Sequence, residues 1–438
     1  MKDLFSREGF RDLFIGQSVS AFGDWMVTVA LMALVLKLSK STTAVGAVLV
    51  LRLIPAAVAG PLAARAAERW YRRRTMLTMD LIRAGMVAAI PLVYALWWVY
   101  MWAFLLEVMG LIFLPARDSS IPDLAGDDDE ERLSLANGLV LASSYGTIPL
   151  GAGAFAIVQA LSPNGGFLGA HHPFALVFFV DAVTFLVSFA FIRPLTMLGR
   201  ATEQPESVEG LEEHGFRAAF RIPLVRTVMG PTLTIALGLG TLFSLGIAYV
   251  RDVLDASDAQ FGILIALFGV GAAVGLILLR ALADGGGDLA SVKIGVAAQG
   301  ATIAIMSLAP SVEIAFVGAA AFGAATSWTL TSAMSLLQES LTGEGRQLAF
   351  TAFHVLIRGG LSLAAIGAGL AADLIHSVHF PVVGQLPSVR LVLAASGLLV
   401  FFSAGLIRQR VESLVPDKGS PAPGPQGTHG PQAQGTAP

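Results

Sequence analysis

Twelve runs of about 20 mainly apolar residues, the length that crosses a hydrocarbon core as a helix, fill most of this 438-residue chain. They fall near 13–36, 43–64, 75–96, 98–117, 137–161 and 173–193, then near 227–250, 259–281, 290–309, 312–336, 348–373 and 388–408. Hydrocarbon gives the backbone no hydrogen-bond partner, so each run must satisfy its own amides; a helix does this and an open sheet does not. The chain is 55% hydrophobic and 13% charged, against roughly 45–50% and 25% in soluble domains. Its mean hydropathy is +0.72. The opening MKDLFSREGFRDLF leads into an apolar stretch that reaches Leu36. That stretch is longer than the roughly 7–15 apolar residues of a signal-peptide core, and it reads as a first span.

The expected fold is an all-α integral membrane protein with twelve transmembrane helices in two pseudo-symmetric six-helix bundles. The polar stretch 194–226 divides the chain into bundles at 1–193 and 227–410, and a Pro-, Gly- and Gln-rich tail at 411–438 cannot bury a core. Segments 39–52 and 255–268 share a polar lead-in, a glycine (Gly46, Gly262) and an apolar run, the pattern an internal duplication leaves.

The charges orient the spans. Of the 28 Lys and Arg residues, 21 fall at the amino terminus, in turns after even-numbered helices or in the tail. Lys37, Lys40, Arg251 and Arg390 occupy the opposite turns, and Arg52, Arg83 and Arg358 lie inside spans. By the positive-inside rule both termini are cytoplasmic, which predicts a multi-pass protein of the cytoplasmic (inner) membrane. The densest basic stretch is the turn from Gly60 to Arg83, GPLAARAAERWYRRRTMLTMDLIR.

An ionisable side chain inside a span costs about 2.5–3.5 kcal/mol on insertion scales, so it is expected to be paired or to face a watery cavity. At a rise of 1.5 Å per residue, Asp24, Arg52, Glu107 and Arg358 lie roughly 14–16 Å from their helix ends, near the midplane of a core about 30 Å thick. Gln17, Ser20, Asp24 and Thr28 make one stripe on helix 1; Thr351, His354, Arg358 and Ser362 repeat the spacing on helix 11. Thr234, Gly238 and Thr241 make a milder stripe on helix 7. Asp24, Glu107, Arg52, Arg358, His354, Gln17 and Thr241 are the candidate cavity residues. Bland readings stand beside these: Asp24 with Arg52 as a fixed salt bridge, Asp80 with Arg83 as an intrahelical pair, and Asp181 as a structural group. DDDEER (127–132) reads as a solvated face, His171, His172, His376 and His379 as loop residues, and Gly271 with Gly275 as close helix packing.

No Gly-Lys-Ser/Thr phosphate loop occurs, which argues against ATP as energy source. With no Cys and no catalytic or metal-ligating constellation, neither an enzyme nor a bound metal is expected. No organic cofactor and no nucleic-acid partner is expected either. The expected partners are a small molecule, protons and the bilayer, with the protein a monomer.

Six plus six helices, a long central loop and a basic turn after helix 2 resemble the major facilitator superfamily. The local sequences are similar to its drug and siderophore exporter branch, which includes macrolide efflux and enterobactin export proteins. In the family's helix 2–3 signature, Glu68, Arg69, Arg72, Arg73 and Arg74 match the acid and its basic cluster, followed by DLIRA (80–84). Ala64 and Glu68 depart from the family's Gly and Asp. Further matches are LPARDSSIPDL (114–124), DAVTF (181–185), Gly345-Arg346 and VRDVLDASDAQFG (250–262); IPLGAG (148–153) keeps part of the antiporter signature of helix 5. The resemblance implies a secondary active exporter that alternates access around a midplane cavity lined by helices 1, 4, 7 and 10, in exchange for protons. It also implies a gate built from Glu68, Arg69, Arg73, Asp80 and Arg83. An importer or uniporter, and a non-transporting membrane receptor or scaffold, are the alternatives.

Overall fold

The computed structural model describes residues 2–51, 55, 70–126, 130–162, 174–198, 223–282, 289–341, 343–375, 378–380 and 384–407. Helices account for each of the twelve apolar runs. They are α1 (Glu8–Ser39), α2 (Thr42–Val50), α3 (Arg72–Ala89), α4 (Leu96–Asp118), α5 in two pieces (Glu130–Gly146 and Ile148–Leu161) and α6 (Ala175–Ile192). The second set is α7 (Pro223–Ala248), α8 (Asp258–Leu282), α9 (Leu289–Ser307), α10 (Val312–Ser340), α11 (Gly343–Leu374) and α12 (Ser388–Ser403). Ten of the described helices are long and apolar enough to cross a membrane. The run expected at 43–64 is described as α2 only to Val50, with Leu51 and Pro55 beyond it.

Local chemistry explains the boundaries. Lys40 takes a left-handed conformation at φ 57° and returns its N–H to Leu36 O, which stops α1. Ser41 then accepts from the Ala44 N–H and starts α2. The run 137–161 differs from its expectation as a single helix. Pro149 has no N–H to give the preceding turn and crowds its carbonyl, so the helix breaks between Gly146 and Ile148. Trp25 Nε1 of α1 donates to Ser144 O beside this break, at 2.8 Å. A short antiparallel hairpin, Val378–Phe380 with Gly384–Leu386, joins α11 to α12 in an otherwise helical chain.

The surface is apolar where a soluble protein would be charged. Ile277, Val317 and Leu363 are 66%, 71% and 75% exposed, as residues facing lipid are. Lipid tails remove the hydrophobic drive for helices to meet, so small residues set the contacts. An added Cβ on Gly271 would lie 1.9 Å from Ala320 O, and on Gly275 2.2 Å from Ala324 O. The α8 backbone therefore rests directly on α10, as the glycine spacing implied.

The two segments with duplicated pattern make equivalent cross contacts. Gly46 of α2 sits against Ala365 O of α11, where a Cβ would come within 2.5 Å; Gly262 of α8 sits against Ala152 O of α5, at 2.9 Å. The α2–α11 seam ends in a polar lock at the end of the molecule that carries the α1–α2, α3–α4, α7–α8 and α11–α12 turns, here called the distal end. The Asp373 carboxylate of α11 accepts from Ser41 Oγ at 2.6 Å, Thr42 N at 3.1 Å, Thr43 N at 3.0 Å, and the Thr42 and Thr43 hydroxyls at 2.7 Å each. A carboxylate at a helix N-terminus meets unpaired amides and the positive end of the dipole together. Further down the seam, Ser362 Oγ lies 3.3 Å from Leu49 O.

Gly271→Ala should lower stability by about 1–3 kcal/mol, the usual range for overpacking, read as a drop in thermal unfolding temperature in detergent. Gly367→Ala, where a Cβ meets nothing within 4 Å, should leave it unchanged.

Candidate functional site

A cavity of about 260 Å³ opens among the first six helices. The helix-1 stripe supplies one wall: Gln17, Ser20, Asp24 and Thr28 all line it. Opposite them on α4 stand Leu106, Glu107, Gly110 and Phe113, one helical face at intervals of one, three and three residues. Val48 and Leu49 of α2, Arg83 and Val87 of α3, Ser144 of α5, and Asp181 and Phe185 of α6 complete it. Asp24 and Glu107, chosen from their depth in separate helices, thus face a common space.

A buried polar network forms the cavity's inner wall. Arg83 donates to Asp80 Oδ1 at 2.6 Å, one turn away on α3, as the i, i+3 spacing predicted. The Arg83 guanidinium carbon lies over two rings, 4.5 Å from the Phe113 centroid and 4.4 Å from that of Phe185, which attract the cation through their π faces. Ser188 Oγ of α6 donates to Asp80 Oδ2 at 2.7 Å, and Gln17 Nε2 of α1 donates to Ser188 Oγ at 3.3 Å. Asp80 has no exposed surface, and Arg83 is 7% exposed. The pair is a structural clamp that joins α1, α3, α4 and α6 and presents one edge of the guanidinium to the cavity.

Asp181 is fully buried on α6 and lies against α1. A Cβ on Gly23 would meet its Oδ1 at 2.0 Å and Thr184 Oγ1 at 2.3 Å, so the glycine leaves the room that the Asp181 carboxyl occupies. Thr184 Oγ1 donates to Asp181 Oδ1 at 2.9 Å, while Oδ2 has no hydrogen-bond partner among the described residues. Asp24 follows Gly23 directly and acts on Asp181 electrostatically.

The basic turn braces this bundle. Arg72 bonds Ser119 O and Asp123, tying α3 to the segment after α4. Arg73 Nε donates to Arg193 O at 2.9 Å, where the negative end of α6 favours a cation. Glu68 and Arg69, and the cavity candidate Arg52, lie outside the described residues.

The second-half candidates do not join this cavity. Thr241 is fully buried on α7 with its hydroxyl unpartnered among the described residues. Arg358 is exposed on α11, and Ser362 of the same stripe is turned onto Leu49 O of α2. His354 lies in α11, its side chain outside the described set. Helices α7 and α10, expected as cavity walls, contribute no lining residue to this cavity. Asp373 was not singled out from the sequence; the signal that could have found it is the Ser-Thr-Thr run at 41–43, three donors opening a helix.

Residues 13–254 match the model of the Major Facilitator Superfamily. The chain belongs to this superfamily. A similar curated protein is the uncharacterized MFS-type transporter YfiS of Bacillus subtilis (strain 168), 25% identical over 278 residues. That match covers 62% of this facilitator and 63% of the relative, under two thirds of the relative's length. Among solved structures, the nucleoside transporter NupG superposes with a TM-score of 0.72 at 12% identity, over 91% of this chain and 98% of that one. A bacterial homologue of the human lysosomal transporter Spinster, inward-facing and unoccupied, superposes with 0.70 at 15% identity, over 91% and 95%. At these identities the structures establish the facilitator fold alone.

Removing one partner of the clamp strands a buried charge. Arg83→Gln should therefore cost about 3–5 kcal/mol, measured by thermal unfolding. Asp80→Asn with Arg83→Gln should recover much of the loss, giving a large coupling term in a double-mutant cycle.

Proposed function

We propose that this chain is a secondary active transporter that exports a small molecule, of the drug, antibiotic or siderophore-like kind, across the cytoplasmic membrane in exchange for protons. The observation that carries the reading is the cavity itself: Asp24 and Glu107, carboxyl groups of two different spans, line one shared space among the helices. A carboxyl inside a span is retained against its insertion cost when it binds something, and these two are the groups that would load substrate or proton. The closed seam supports alternation of access. With both termini in the cytoplasm, as the basic residues indicate, the Asp373 lock and the α2–α11 seam seal the outer side, and the cavity serves the inner side. Arg358, exposed on α11, would meet the cavity or an anionic part of the substrate only in another arrangement of the two bundles.

The test uses everted membrane vesicles, an imposed pH gradient and a panel of toxic dyes beginning with ethidium. Inward accumulation with release of luminal protons is expected, and both Asp24→Asn and Glu107→Gln should abolish it. If both variants keep full coupled accumulation, the assignment of these carboxyls is wrong. Accumulation in right-side-out vesicles instead would mean import.

The chain has no Cys, so Ser362→Cys gives a single label in the seam. A membrane-impermeant maleimide added from outside should label it slowly, and faster when Asp373→Ala opens the lock. Unchanged labelling would mean that the lock does not hold the seam shut.

A further inference from the structure

Asp181 is a buried carboxyl for which the reading above has no use. It is fully buried, yet it lines the cavity. One of its oxygens is held by Thr184 and the other, Oδ2, is free of hydrogen bonds among the described residues. A packing role would favour a group with both oxygens satisfied, because each unmet buried acceptor costs about 1–3 kcal/mol.

The charge balance points the same way. Among the described residues, the charged and titratable groups about Asp181 are Asp24 on α1, Asp80 and Arg83 on α3, and, across the cavity on α4, Glu107 and Arg117. Arg117 is bonded to Asp118 at 2.7 Å. Arg83 is bonded to Asp80 and lies over the Phe113 and Phe185 rings. Its Nε is also buried and unbonded, so it reaches Asp181 only as a neighbouring charge. One guanidinium thus stands between two carboxyls and is spent on the first. No other described cation then pairs with a negative charge on the second, and an unpaired charge in an apolar interior is costly.

We infer that Asp181 is the proton store of this transporter: Oδ2 binds one proton taken from cavity water by way of Asp24, and gives it back when access alternates. In loading, hydronium in the cavity protonates the Asp24 carboxylate and becomes water; the Asp24 O–H bond then breaks as an O–H bond forms at Asp181 Oδ2, which leaves Asp24 a carboxylate again and Asp181 the neutral acid. Unloading is the reverse. A hard metal ion is a poor occupant, because it needs about six or more oxygen ligands and one free oxygen is on offer. The glycine at position 23 belongs to the device. It lets the carboxyl sit against α1 at the cavity wall, beside the residue that precedes Asp24. This inference rests on the transporter reading for its purpose, though the proton site can be measured without flux.

The decisive measurement is pH-difference infrared spectroscopy of the full-length protein in lipid vesicles. Carboxylic-acid C=O intensity that comes and goes with pH is expected in the wild type, diminished in Asp181→Asn by the contribution of that one carboxyl, and with that contribution shifted in Thr184→Val. Thr184→Val keeps the carboxyl and serves should Asp181→Asn fail to fold. An undiminished band in Asp181→Asn, or one unmoved in Thr184→Val, overturns the proposal. In everted vesicles, Asp181→Asn should lose pH-driven ethidium accumulation and keep downhill ethidium exchange, an uncoupling that a purely structural role would not produce. Coupled accumulation at the wild-type rate in Asp181→Asn also overturns it. If the wild type moves no dye in either direction while the band follows Asp181, the export reading fails and the proton site stands.

Discussion

Arg83 is the charge around which the first six helices close. A guanidinium in the middle of an apolar span needs a counter-charge and neighbours that tolerate a cation, and no single neighbour supplies both. Asp80 meets it along the same helix, Phe113 of α4 and Phe185 of α6 lie against it, and Ser188 and Gln17 extend the bonding to α6 and α1. Four helices are thereby fixed to one point. Low polarity strengthens every one of these bonds and raises the cost of losing any. A cavity can persist beside such a clamp because its wall cannot relax inward without breaking it.

Contacts between the two sets of helices follow a different rule. They run along glycines, where backbone meets backbone: Gly46 on Ala365, Gly262 on Ala152, and Gly269 on Pro149. Such seams carry few side-chain interactions that would have to be broken for the helices to slide or part. The strong polar contacts between the halves gather instead at the distal end, where the Asp373 carboxylate accepts from Ser41, Thr42 and Thr43 and caps α2. The seam between the halves is thus a run of close backbone approaches that ends in a polar cluster around Asp373.

Inside the first bundle the carboxyls differ in what they are given. Asp80 has an ion pair and a hydroxyl, Asp181 has a hydroxyl and an empty oxygen, and Asp24 stands at the cavity wall. The same residue type therefore fills three roles within three adjoining helices. The difference comes from the neighbour on each side, since all three share the helical setting.

The spans, their number and the family were legible in the chain, because the length of an apolar run and the cost of unmet amides in lipid are local matters. The stripe Gln17, Ser20, Asp24 and Thr28 was legible for the same reason: helical period puts those residues on one face whatever surrounds them. Its counterpart on α11 shows the limit. A polar stripe declares that it avoids lipid and leaves its partner open, and Ser362 found the α2 backbone where a cavity had been expected. The break in α5 was readable from Pro149 in principle, yet the run's hydropathy concealed it. Asp373 and the segment it caps are about 330 residues apart, and Asp181 looks like any buried acid until Gly23 and Thr184 are seen beside it. What the sequence determined by itself was which segments enter the membrane and which of their faces carry polar groups. Which polar group meets which, and which is left with an empty oxygen, was decided by the packing of helices distant along the chain, because bonding depends on separations in space that no local period encodes.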